Sequence, residues 1–168
     1  MEELGSIDGR GPRAQRKYSV YKANKRGNGS AMQFDFNPNR ESVFVEASVQ
    51  KGEQEFDWNN KLVLKLGASD LSKLLVVLEG KSKLVDLFHD PGKSPFAQEK
   101  MAAGAAAGAK TVKNASFNLA RGDYGFFAKL SQQYADSTVR TISVSISEDE
   151  AVALRVLFSK AIEAIYKW

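Results

Sequence analysis

Two ββββα units in tandem, an α+β fold built on two four-stranded antiparallel sheets, are what this 168-residue sequence predicts. Three observations carry it. Eight short runs are strand-like, most with apolar residues alternating with polar ones, the signature of a strand buried on one side. Compact clusters of Gly, Asn, Pro and charged residues separate most of these runs, and short turns join antiparallel neighbours. After each group of four, the period changes to that of a helix with a serine near its start.

In the first unit, "KYSVYKA" (17–23) is a strand that sets Ser19 and Tyr21 opposite Tyr18, Val20 and Lys22. "NKRGNGS" (24–30) is a turn around Asn-Gly. "AMQFDF" (31–36) sets Met32, Phe34 and Phe36 against Gln33 and Asp35. "SVFVEASVQ" (42–50) puts Val43, Val45, Ala47 and Val49 on one face, and "FDWNNKLVLKLGA" (56–68) supplies a fourth strand that Trp58 begins. Ser69 is the expected N-cap of a helix whose face is Leu71, Leu74, Leu75 and Leu78, with Gly80 ending it.

The second unit follows the same plan. "KLVDLFHD" (83–90) and "KNASFNLAR" (113–121) are strands, the latter with Ala115, Phe117 and Leu119 inward. "YGFFAKLSQQ" (124–133) puts Tyr124, Phe126 and Leu130 on one face, and "STVRTISVSI" (137–146) puts Ile142, Val144 and Ile146 on one face. Ser147 and Glu150 form a capping box for a helix striped by Ala151, Leu154, Leu157, Phe158, Ala161, Ile162 and Ile165. The expected organisation is a flexible basic arm at 1–16 and one domain at 17–168, divided into repeats 17–80 and 81–168. The Ala/Gly-rich stretch 91–112 has no apolar period and reads as a mobile loop.

Composition removes several function classes. With no cysteine there are no disulfides, thiol nucleophiles or Cys-based zinc sites, and one histidine builds no multi-histidine metal site. Neither a membrane-spanning run nor a signal peptide is evident, so the expected location is intracellular, with cytoplasm, nucleoid and organelle not separable and no membrane partner. His89 and Asp86 point to opposite faces of one strand, so they form no dyad, and His89 is expected to bond its own turn. "HDPGKS" lacks the leading glycine of a phosphate loop, "RGD" at 121–123 is a hairpin turn, and no constellation looks catalytic. No enzyme, cofactor or metal is expected.

Charge points to an anionic partner. The net charge is +4, and no Asp or Glu interrupts residues 10–34, which hold Lys22, Lys25 and Arg26. A second acid-free window spans 100–122. Either window also fits a solvated tail or loop. More telling are the outward positions of the strands. Phe44 lies among Ser42, Glu46 and Ser48, and Phe127 among Lys129, Ser131 and Gln133. Tyr21, Trp58 and Lys65 add two rings and a cation. Rings on which bases stack, beside cations that track phosphates, make a single-strand platform, although the same rings could pack under helices or at a subunit interface. The candidate contact set is Tyr21, Lys22, Lys25, Arg26, Phe44, Trp58, Lys65, Phe127 and Lys129.

Several stretches sharpen this. "YSVYK", "FDWNNKLVLKLGASDLSKLL", "LFHDPGK", "FNL" and a final helix ending in "YKW" resemble, in that order, the Whirly family of single-stranded DNA-binding proteins over residues 17–168. Kinetoplastid guide-RNA-binding proteins are similar in fold, and Pur-type proteins more distantly so. The resemblance implies two roughly perpendicular sheets, each followed by a helix, and a homotetramer through those helices, with single strands across the sheet edges. It also implies that "FHDP" is a structural strand end. The chain departs from the family after "YK", where "ANKRGNGSAM" stands in place of a Lys-Gly-Lys-Ala-Ala-Leu motif.

The expected function is therefore binding of single-stranded DNA with little sequence specificity. RNA binding, to guide or structured RNA, and an oligomeric protein-interaction scaffold are the alternatives. Repair, transcription and RNA processing would all use the same surface.

Overall fold

The computed structural model describes residues 17–90 and 111–168. The arm at 1–16 and nearly all of the loop expected at 91–112 lie outside the described residues. The first sheet holds β1 (Lys17–Lys22), β2 (Ser30–Asn37), β3 (Ser42–Val49) and β4 (Leu62–Leu66), followed by α1 (Ala68–Leu78). The second holds β5 (Leu84–His89), β6 (Val112–Arg121), β7 (Gly125–Tyr134) and β8 (Val139–Ser147), followed by α2 (Glu148–Tyr166). Each sheet is antiparallel and runs in chain order, β1-β2-β3-β4 and β5-β6-β7-β8. Two ββββα units are thus present as the alternation predicts, with Val112 already in a strand.

Alternation places the core. Val20, Met32, Ala47 and Leu62 stand in one row across the first sheet, and all are buried. Leu87, Phe117, Leu130 and Ile142 do the same in the second. Both inner faces and both helices enter one cluster. Phe34 of β2 sits at its middle. Its ring meets Phe117 of β6 edge-on at 6.3 Å and Phe158 of α2 at 5.6 Å. The two outer faces therefore point away from a shared core, and they are not one continuous surface.

The helix ends follow local chemistry. The capping box of α2 is formed: Ser147 N–H donates to Glu150 Oε1 (2.9 Å), and Glu150 N–H to Ser147 Oγ (3.4 Å). Gly80, at φ +79°, ends α1 as expected. Lys81 N–H bonds Val76 O and Gly80 N–H bonds Val77 O, a Schellman closure. Ser69 is not the N-cap of α1. Gly67 is, because Asp70, one turn in, accepts from the Gly67 N–H at 3.0 Å.

Other expectations shift too. The fourth strand is shorter than 56–68, because Trp58–Asn60 forms a 3-10 turn in which Asn60 Nδ2 donates to Asp57 Oδ2 at 2.8 Å. Trp58 thus precedes the strand. Tyr124 does not share the inward face of Phe126; it lies in the turn before β7 and is 94% exposed. Val49 ends β3 exposed. Among the described residues, no helix is long and apolar enough to cross a membrane.

Candidate nucleic-acid interface

The outer face of the first sheet is partly covered. Its rows read Lys17–Asp35–Phe44–Lys65, Ser19–Gln33–Glu46–Val63 and Tyr21–Ala31–Ser48. Ala31 and Ser48 are nevertheless fully buried, and Ser42 nearly so. Tyr21 stands in the same row, its ring 5.6 Å from that of Phe56 in the β3–β4 loop. Gln33 donates to Glu46 at 2.6 Å and Lys61 to the same carboxylate at 3.0 Å, so this face binds itself. Phe44 is half-buried between Asp35 and Lys65.

Gln50 anchors the hairpin beside it. Its buried Oε1 accepts from the Gly29 and Asn24 amides at 2.9 and 3.0 Å, and its Nε2 donates to the carbonyls of Asn24, Gly52 and Glu53. One side chain thereby ties the β1–β2 turn to the β3–β4 loop. Lys25 and Arg26 ride exposed on that turn.

The second sheet is different. Three rows of its outer face cross all four strands, Leu84–Ala120–Phe127–Ser145, Asp86–Asn118–Lys129–Ser143 and Phe88–Ser116–Ser131–Thr141, and a shorter one, Asn114–Gln133–Val139, crosses three. Phe88 is 69% exposed, Phe127 57% and Leu84 51%. By strand spacing and rise, the Cα atoms of Phe88 and Phe127 lie about 16 Å apart on a diagonal through Asn118. Between them stand hydroxyls, an amide and Lys129, which suit bases and sugar edges.

Lys22 takes the parity of Val20, toward the core side, and not that of Tyr21. Its Nζ lies 2.7 Å from Glu150 Oε1 in α2. Burial raises the Glu150 pKa, but Lys22 and the Ser147 amide and hydroxyl together outweigh it and hold the carboxyl below its ordinary value. Asp149 is likewise lowered, chiefly by the Ser147 hydroxyl. Lys22 still borders a cleft of about 340 Å³ with Tyr124, Phe127, Ser145 and Ser147. The predicted residues therefore divide. Tyr21, Phe44 and Lys65 face out from the first sheet, Phe127 and Lys129 from the second, Lys22 and Phe127 meet at the cleft, and Lys25, Arg26 and Trp58 lie in turns.

A family model described as the Whirly transcription factor matches residues 35–157. The chain belongs to the Whirly family. Solved Whirly structures share the fold. The plant transcriptional regulator PBF-2 is 19% identical with a TM-score of 0.67, covering 94% of this chain and 93% of that one. WHY1 from Arabidopsis thaliana has the same identity and TM-score, with 94% and 88% coverage. A guide-RNA-binding protein complex bound to a guide RNA is similar at 16% identity and a TM-score of 0.58, covering 90% of this chain and 92% of that one. No curated protein matches the chain by sequence.

Within this Whirly chain, His89 does not bond its own turn. It faces inward, and its Nε2 lies 3.1 Å from Asp70 Oδ2 at the head of α1, an ion-pair distance without hydrogen-bond alignment. Among the described residues, no group of three His, Asp or Glu is placed to hold a metal. Two exposed rings of the second sheet and its turns escaped the sequence reading. Phe88 hid inside the apolar run "LVDLFH", although its parity opposes the core residue Leu87. Tyr124 sits one residue before its strand, where alternation no longer governs direction.

Proposed function

We propose that this Whirly-family chain binds single-stranded nucleic acid, DNA foremost, on the outer face of its second sheet. The observation that carries this reading is the pairing of Phe88 and Phe127, two large exposed rings on one open face among Ser, Thr, Asn and Lys129. Exposed rings set among polar side chains offer a stacking surface, and every base has a π-face to lay on them. A duplex hides those faces, so unpaired strands are favoured. Cations at the margins, Lys22, Lys25 and Arg26 among them, supply phosphate contacts. The residues on the first sheet, Tyr21, Phe44 and Lys65, with Trp58 nearby, form a secondary contact region.

The protein assembles as a homotetramer through its helices. Val76 of α1 and Val152 and Val156 of α2 remain exposed, which fits helix faces covered by other copies. Sedimentation would give the mass of four chains under this reading and of one chain if it fails.

The test of binding is anisotropy of a labelled single strand of roughly 30 nucleotides, its duplex and the matched RNA, each at two salt concentrations. Strong, salt-weakened single-strand binding with weak duplex binding is expected. Equal affinity for duplex, or none for any strand at low salt, overturns it. Preference for the RNA would move the assignment to an RNA-binding protein.

A further inference from the structure

We infer that Asp86, held by Asn118, reads the edge of a base stacked on Phe88, so that this face prefers bases carrying an amino group over thymine or uracil. This rests on the single-strand reading above.

Asp86 is the only acidic residue in the four strands of the second sheet. It is exposed and flanked two residues either way by Leu84 and Phe88, both exposed on the same face. A carboxylate there repels phosphate, so it does nothing for a strand bound through its backbone. No Lys or Arg pairs with it among the described residues; its hydrogen-bond partner is Asn118, whose Nδ2 donates to Oδ1 at 2.6 Å. That bond fixes the side-chain amide with its nitrogen toward Asp86. The second carboxylate oxygen is left free to accept, and the Asn118 oxygen and its other N–H stay open beside it.

Asp86 lies two residues, about 7 Å, along the strand from Phe88 on the same face, so a base stacked on that ring with its edge turned toward Asp86 brings its edge groups within hydrogen-bond reach of the carboxylate. The edge must then offer donors. Guanine presents two adjacent ones, N1–H and the 2-amino group. Cytosine and adenine each present an exocyclic amino group, and acidic side chains accept from that of cytosine. Thymine and uracil present a single N–H between two carbonyl oxygens, which the carboxylate repels. Guanine is therefore the best fit, then cytosine and adenine, with thymine or uracil last. The site is open to water, so the discrimination falls at the low end of a base-reading pair, about 5- to 10-fold.

The experiment compares 15-nucleotide strands of dT, of dC, and of dT with guanine at every third position, titrated at one salt concentration against the wild-type chain and Asp86→Asn. Wild type is expected to bind the guanine-containing and dC strands about 5- to 10-fold tighter than dT. Asp86→Asn should bring the ratio below about twofold, chiefly by tightening dT. Asp86 is exposed and far from the core, so the variant keeps the fold, which circular dichroism checks. Binding of all three strands with equal affinity overturns the inference while leaving the single-strand reading intact. So does a preference that survives in Asp86→Asn. No binding to any strand overturns both.

Discussion

Lys22 and Glu150 are 128 residues apart in the chain, yet their charged atoms lie 2.7 Å apart, joining the end of the first strand to the head of the last helix. The same Glu150 oxygen also accepts the Ser147 N–H. One carboxylate thus caps a helix and ties the two repeats together.

Its titration follows from that. The Glu150 pKa is lower folded than unfolded, so the pair contributes stability above the ordinary carboxylate value, and that contribution is lost as pH falls through the depressed one. Thermal melts between pH 7 and pH 3 should show an acid-side fall in Tm. Glu150→Gln should lower Tm at pH 7 and flatten the acid limb. A parallel fall in both proteins would remove Glu150 from the account.

Phe34 contacts an aromatic ring from the second sheet and another from α2. Phe34→Ala should cost about 3–5 kcal/mol in urea unfolding. The loss should appear as one cooperative transition, because the core is shared. Two separate transitions would mean that the repeats fold independently.

Gly29 is enclosed. A Cβ there would stand 2.1 Å from the Lys22 carbonyl oxygen and 2.6 Å from Gln50 Oε1. Gly29→Ala should destabilise the chain by about 2–3 kcal/mol and speed amide exchange in the turn that carries Lys25 and Arg26. Gly27→Ala, with open space around it but φ +74°, tests conformational strain without the clash.

The two faces should separate in binding. Phe88→Ala and Phe127→Ala are each expected to weaken single-strand affinity about 5- to 150-fold, the range for loss of a stacked base. Phe44→Ala, half-buried on the covered face, should weaken it less. Lys129→Ala should reduce the salt slope by about 0.7. Equal losses from Phe44 and Phe127 would show that a strand uses both sheets.

Most of the fold was legible because alternation is local. Residues such as Val43, Val45 and Ala47, or Ile142, Val144 and Ile146, declare their face within a few positions. The candidate site was legible only in part. Parity alone separates Lys22 from Tyr21, but sequence does not say which side of a sheet another segment covers. Ser48 reads as a surface serine and is buried, because the fold covers a face that the alternation leaves polar. Phe88 stands in a run, "LVDLFH", whose apolar residues fall on both faces, so alternation does not single it out. Glu150 could be placed as a cap, but its partner Lys22 came from the other repeat, beyond the reach of any local pattern.

The hydrogen bonds between the repeats have a second consequence. β4 and β8 are edge strands, and such edges invite another chain to add itself as a further strand. Here the Val63 carbonyl accepts from Gln132 Nε2 at 2.9 Å, the Asn60 carbonyl just before β4 accepts from Arg140, and the Ser143 carbonyl accepts from the Ser30 hydroxyl. Each repeat stoppers a rim of its twin. A molecule that must leave two greasy rings uncovered while it waits for a strand can therefore do so in a crowded compartment with fewer open templates for fibril growth. Duplication makes the chain its own guard against mispairing, and substitutions at Gln132 or Ser30 would be felt first as precipitation on storage, before any loss of grip on a ligand.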